Sequence, residues 1–213
     1  MPRSILVPLV LTLILSFLFI LFLFNVVAIS FTKLGLTPEQ TFAIFFGTIV
    51  GGFINIPVSQ RKVVIAEERR LPFPFFYYPP RVATQVIFIN VGGAVVPVIL
   101  SIYFLPRAPL IPTLIAILVM TALSKLLARP VPGVGIALPA LVPPIASALL
   151  ALLLAPASPA PVAYISGVLG TLIGADLLNL GRIKEVGSTA VSIGGAGVFD
   201  GVFLTGIIAA LLT

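Results

Sequence analysis

"VATQVIFINVGGAVVPVILSIYFL", Val82–Leu105, sets how the rest of the chain is counted. It holds no charged residue. At about 1.5 Å per residue, a helix of this length outreaches the ~30 Å hydrocarbon core of a bilayer. Read as one membrane-crossing helix, it is the third of seven apolar runs; the others are 4–31, 41–58, 110–128, 136–155, 161–180 and 190–212. The expected fold is an all-α integral membrane protein, a single polytopic domain over 1–213, with about seven transmembrane helices and a short hairpin-like cytoplasmic loop at 59–81.

Composition agrees with a lipid environment. Of 213 residues, 60% are hydrophobic and 8% charged, against about 25% charged in soluble domains. The first run is far longer than the roughly 7–15 apolar residues of a signal peptide, so it is expected to stay as an anchor. The chain has no Cys and no His. That removes thiol nucleophiles, thiolate or imidazole zinc sites, His-ligated haem and any triad built on His; no metal and no cofactor are expected. The formal net charge is +6, but the basic residues lie between apolar runs. Their expected partner is the membrane lipid rather than nucleic acid. The oligomeric state is left open at this stage.

The distribution of Lys and Arg orients the runs. If seven helices alternate, one side collects Arg3, Arg61, Lys62, Arg69, Arg70, Arg81, Lys125, Arg129, Arg182 and Lys184, ten in all, and the other only Lys33 and Arg107. The positive-inside rule then puts the N-terminus in the cytoplasm and the C-terminus outside, in a multi-pass protein of the cell membrane. The loop "SQRKVVIAEERRLPFPFFYYPPR", Ser59–Arg81, alternates weakly and then sets aromatics between prolines. It reads as an interfacial aromatic belt with a short hairpin, or as an edge strand able to take up an extended peptide.

Two acids fall inside apolar runs, Asp176 in "GTLIGADLLNLG" and Asp200 in "SIGGAGVFDGVFL". A carboxylate at bilayer depth costs roughly 2.5–3.5 kcal/mol on insertion scales, which makes it a functional candidate. Asp176 lies about 8 Å inside the cytoplasmic end of its run. Asp200 lies about 11 Å in if its helix starts near Ser192, and about 15 Å if it starts at Ala190. On the first count the two acids share a layer. Carboxyls about 3 Å apart cannot both ionise, and such a pair holds one proton between them. One member can then deprotonate water while the other protonates a carbonyl oxygen. Gly194, Gly195 and Gly197 would let an extended backbone approach. In the plainer alternatives, Asp176 faces headgroups and Asp200 caps a helix that restarts at Gly201.

Paired aspartates on consecutive helices resemble the presenilin and signal-peptide-peptidase group. There the second aspartate follows a Gly-x-Gly-Asp motif and a Pro-Ala-Leu triplet completes the substrate site. Here "GAGVFD" places Gly195 and Gly197 before Asp200 with Val198 and Phe199 intervening, and "ALPALVPP" contains Pro139, Ala140 and Leu141, ahead of the aspartates rather than after them. The resemblance implies catalytic Asp176 and Asp200, with substrate backbone against Pro139–Leu141 and Gly194–Gly197. The stretches "RPVPGVGI", "GTLIGADLLNL" and "SIGGAGVFDGVFLTGI" also resemble an uncharacterised prokaryotic multi-pass family, a domain of unknown function.

Other polar residues in the runs have smaller expectations. Ser124 and Lys125 could form a hydrolytic dyad, although a lysine near a helix end ordinarily snorkels. Asn55, Gln85 and Asn90 are expected to bond between helices. The expected function is an intramembrane aspartic endopeptidase acting on transmembrane peptides; the alternative is a proton- or cation-coupled transporter or channel using the same aspartates.

Overall fold

The computed structural model describes residues 3–65, 81–131, 135–182, 189–195 and 201–213. Among them are seven α-helices: α1 Arg3–Lys33, α2 Pro38–Gly52, α3 Val96–Phe104, α4 Leu110–Leu127, α5 Val142–Leu154, α6 Pro159–Thr171 and α7 Gly201–Leu212. Five strands accompany them: β1 Asn55–Ile65, β2 Arg81–Asn90, β3 Arg129–Val131, β4 Gly135–Ala137 and β5 Ala190–Ile193. Three helical stretches, Val7–Lys33, Leu110–Leu127 and Pro159–Asn179, are long and apolar enough to cross a membrane; Val91–Arg107, Val142–Leu154 and Val202–Leu212 are apolar but shorter.

Val82–Leu105 is not one helix. Its first part, up to Asn90, is β2; a π-helical turn follows at Val91–Val95, and only then does α3 begin. Hydropathy cannot separate these conformations, because a short apolar run suits a buried helix and a buried strand equally. What separates them is a partner. β1 pairs antiparallel with β2, Asn55 opposite Asn90 and Ile65 opposite Arg81, with a bulge between Pro57 and Ser59. Gly92 and Gly93 then break the strand, and Pro97 stands in the first turn of α3, where its missing N–H costs nothing.

The same correction applies to three other runs. β1 takes 55–58 from the run at 41–58, β4 takes 136–137 from 136–155, and β5 takes 190–193 from 190–212. The fold is therefore a helical bundle carrying two small sheets, not an all-α bundle. Strands do pair across the hairpin expected at 59–81, from Ile65 opposite Arg81 back to Asn55 opposite Asn90; the aromatic and proline stretch expected as an interfacial belt, within 66–80, lies outside the described residues. The free edge of β2 receives β5 in parallel, Val86 opposite Ala190 through Ile89 opposite Ile193, giving the order β1-β2-β5. β3 and β4 form a separate two-stranded sheet.

α6 is the axis of the bundle. Val162, Ala163, Tyr164, Ile165 and Val168 are all fully buried, as expected of a helix that is apolar all round. Small residues set the spacing of its neighbours. A Cβ at Gly170 would lie 2.4 Å from Met120 Cβ on α4, and one at Gly206 on α7 would lie 2.5 Å from Val168 Cγ2. α4 runs parallel to α6, since Gly170 meets Met120 and Gly174 meets Ser124. α7 runs antiparallel to it, since Gly206 meets Val168 while Ala209 packs with Val162 and Ala163. α1 runs alongside α7, where Ser30 Oγ donates to Ile207 O at 2.9 Å and Lys33 Nζ to Leu211 O at 2.7 Å.

The two minority cations share one end of the bundle. Arg107 Nη1 donates to Leu34 O at 2.7 Å, one residue from Lys33, and its guanidinium lies 4.7 Å over the Tyr103 ring. Along the first part of α1, large apolar side chains from Val7 to Phe22 are exposed on every side of the helix.

Candidate functional site at the junction of two broken helices

Asp176 closes a π-helical turn, Leu172–Asp176, that continues α6 and passes into a 3-10 turn, Leu177–Asn179. A widened turn disrupts the regular ladder and leaves carbonyls to be satisfied by other donors. Asn179 supplies them: its Nδ2 donates to Gly174 O and Ala175 O, each at 3.0 Å. Lys125 Nζ, from the last turn of α4, donates to Leu178 O. The broken end of α6 is thus held from two directions.

The half-buried Asp176 carboxylate meets the turn after β5. Its Oδ2 accepts the Gly194 N–H at 2.8 Å. Gly194 has φ +79°, and a Cβ there would fall 2.6 Å from Ala94 Cβ and 2.7 Å from Ala94 N. Only glycine combines this left-handed backbone with so close a neighbour. Ala94 belongs to the other π-helical turn, Val91–Val95. The two irregular turns are therefore brought together with Gly194 between them, and π turns of this kind recur at functional sites.

Asn90 braces the second turn. Fully buried, it accepts the Gly93 N–H on Oδ1 at 2.7 Å and donates from Nδ2 to Gly52 O at 2.8 Å and Asn55 Oδ1 at 3.1 Å. Ser192 Oγ on β5 donates to the same Asn55 oxygen at 2.9 Å. Polar contacts thus run from the end of α2 through both asparagines to β5, and two residues further on to the Asp176 carboxylate.

Each residue singled out from the sequence can now be placed. Asp176 lies at the junction. Gly194 and Gly195 form the turn there, both with φ +79°, but the Gly194 N–H is committed to Asp176 rather than left open for a substrate. Pro139, Ala140 and Leu141 are exposed in the link from β4 to α5. Pro139 lines an open cleft of about 400 Å³ with Leu127, Arg129, Val131, Ala137 and Leu138. β4, two residues away, contacts the turn that carries Asp176. Gly197 and Asp200 lie outside the described residues.

Ser124 and Lys125 do not form a dyad: Lys125 bonds Leu178 O, and Ser124 Oγ has no hydrogen-bond partner among the described residues. No group of three His, Cys, Asp or Glu side chains that could hold a metal ion occurs among the described residues. Asn179 was missed by sequence reasoning; its signal was a lone amide in an apolar run, one turn past an aspartate.

The start of α7 can be levelled against Asp176. From the contact of Val168 with Gly206, Asp176 lies eight residues on and Gly201 five residues back, about 12 Å and about 8 Å along antiparallel axes. α7 thus begins within about one turn of the level of Asp176.

A family described as protein of unknown function (DUF1614) matches residues 49–212. The chain belongs to the DUF1614 family. Its DUF1614 region holds all five strands, both π turns, Asp176 and Asp200, while α1 lies ahead of it. The resemblance of "GTLIGADLLNL" and its companion stretches to a multi-pass family of unknown function is thereby answered. No curated protein and no solved structure matches this DUF1614 chain, the presenilin and signal-peptide-peptidase group included.

Proposed function

We propose that this protein is an intramembrane aspartic endopeptidase, with Asp176 and Asp200 as its acid–base pair. The observation that carries the reading is the Asp176 carboxylate at the broken end of a core helix, bonded at 2.8 Å to the turn that leads to Asp200. An acid in an apolar run is costly unless it is used. Here the chain builds two irregular turns and a left-handed glycine around it. Asp200 directly precedes Gly201, whose helix starts near the level of Asp176.

In this mechanism the ionised member takes a proton from water as the water oxygen bonds to the scissile carbonyl carbon. The protonated member gives its proton to the carbonyl oxygen. Collapse of the tetrahedral diol then breaks the C–N bond, and a proton passes to the departing amine. The substrate is a transmembrane or membrane-proximal peptide. Its unwound backbone lies along the edge of β5 that faces away from β2 and against Pro139–Leu141, a strand-addition geometry. The helical bundle sits in the cell membrane with the N-terminus in the cytoplasm, in keeping with the ten-to-two division of Lys and Arg. The sheets then lie toward the cytoplasm.

Asp176→Asn and Asp200→Asn are each expected to abolish cleavage of a reporter transmembrane peptide in proteoliposomes while unfolding at a temperature close to the parent. The parent should show a bell-shaped pH profile for kcat/KM. Undiminished cleavage in either variant removes the proposal. A second reading, an ion-coupled transporter, is favoured by the same broken helix, because such breaks line ion sites in transporters. Proton- or sodium-driven flux without peptide cleavage would select it.

A further inference from the structure

α4 stops at Leu127, and Ala128 is already extended at φ −67° and ψ 128°. Pro130 follows and disfavours helix at the residue before it. Arg129 therefore leaves the helix and enters β3, opposite Ala137 on β4. That pairing makes Arg129 the one charged residue, among the described residues, lining the open cleft of about 400 Å³. Its other walls are Leu127, Val131, Ala137, Leu138 and Pro139. The size is that of a small-ligand site.

Other cations at helix ends are already committed. Lys33 Nζ donates to Leu211 O and Arg107 Nη1 to Leu34 O, each at 2.7 Å, and Lys125 Nζ donates to Leu178 O. Arg129 is exposed and has no hydrogen bond or ion pair among the described residues. A guanidinium with its donors free suits a phosphate, which it can hold through two parallel bonds. Leu126 and Leu141, close along the chain to the cleft walls, are 79% and 64% exposed. Apolar surface thus continues beyond the cleft.

We infer that this cleft binds an anionic phospholipid, with the phosphate on Arg129 and the glycerol and upper acyl chains along Leu127, Val131 and Leu138. α4 is long and apolar enough to cross a membrane. Its 18 residues rise about 27 Å, close to the ~30 Å hydrocarbon core. A crossing by α4 puts Arg107, just before it, and Arg129, just after it, at opposite headgroup layers. Of these two, only Arg129 keeps its donors for a lipid. A soluble anion would engage the guanidinium and leave the apolar walls wet, whereas a phospholipid covers both. The site does not depend on the protease reading.

The test takes the whole protein in detergent micelles and follows lipid binding by native mass spectrometry. Dioleoylphosphatidylglycerol is expected to bind more tightly than dioleoylphosphatidylcholine. Arg129→Gln should weaken phosphatidylglycerol binding about fivefold, the weight of one cation at an anionic lipid surface. Arg129→Lys should keep most of the binding, and Lys62→Gln, which removes an exposed cation of β1, should keep it all. Should Arg129→Gln fail to fold, Leu138→Glu, which sets a carboxylate on the cleft wall, is read in the same way. Equal affinity of the parent for the two lipids overturns the site, as does unchanged binding in Arg129→Gln or an equal loss in Lys62→Gln. Glycerol phosphate that displaces phosphatidylglycerol at equal concentration marks a free-phosphate site, and an aspartate-rich peptide that does so marks a peptide site. Either result overturns the lipid assignment.

Discussion

At Gly194 a left-handed backbone, a neighbouring helix turn and a carboxylate meet within hydrogen-bond distance. Any side chain there must adopt φ +79° and enter space held by Ala94. Gly194→Ala is therefore expected to cost about 3 kcal/mol and to lower the unfolding temperature measured in detergent. Gly181→Ala, where an added methyl meets nothing within 4 Å, should leave that temperature nearly unchanged. Equal effects would mean that the close approach of Gly194 to the Val91–Val95 turn has no energetic weight. Asp176 and Asp200 were legible at this scale, because a lone acid among apolar residues is conspicuous. The commitment of the Gly194 amide was not, because "SIGGAG" does not say which neighbour its backbone will meet.

The decisive element is the hinge between β2 and α3. Asn90 ends the strand, caps the π turn and ties both to α2, using three hydrogen bonds in a fully buried position. Its removal leaves Gly52 O and Gly93 N without that partner, and a buried unsatisfied group costs roughly 1–3 kcal/mol. Asn90→Ala is thus expected to destabilise by about 3 kcal/mol. A double-mutant cycle with Asn55→Ala should give a coupling energy above about 0.5 kcal/mol, since the two side chains bond directly. Additive effects would show that the asparagine pair does not act as a unit. Neither periodicity nor hydropathy pointed to this hinge. Val82–Asn90 satisfies the composition of a membrane helix, and only pairing with β1 on one side and β5 on the other makes a strand the better use of its backbone donors and acceptors.

Over the whole molecule the helices differ in reach. α1 has 31 residues and α6 with its broken end spans 21, while α5 has 13 and α7 has 12. At 1.5 Å per residue these are about 46, 31, 20 and 18 Å, against a hydrocarbon core of about 30 Å. The short helices fall well short of that thickness. Mismatch of this kind is relieved when the bilayer is thinner. Stability, read as the unfolding temperature in defined lipids, is expected to be higher in short-chain than in long-chain phosphatidylcholine. A flat or reversed dependence would place the short helices outside the hydrocarbon.

By itself the sequence determined an apolar, membrane-type bundle with two candidate acids and seven helical stretches in the right order. Those properties follow from local quantities: the apolar content of a run, the cost of a charge in lipid, and the length of a helix. Only the tertiary structure decided which apolar runs became strands and where the helices break. It also decided that Gly194, Asn90 and Asn179 would organise the surroundings of Asp176. Backbone groups at bilayer depth must find partners, and whether the partner is four residues away or 103, as for Val86 N and Thr189 O, is settled by what the folded chain brings alongside.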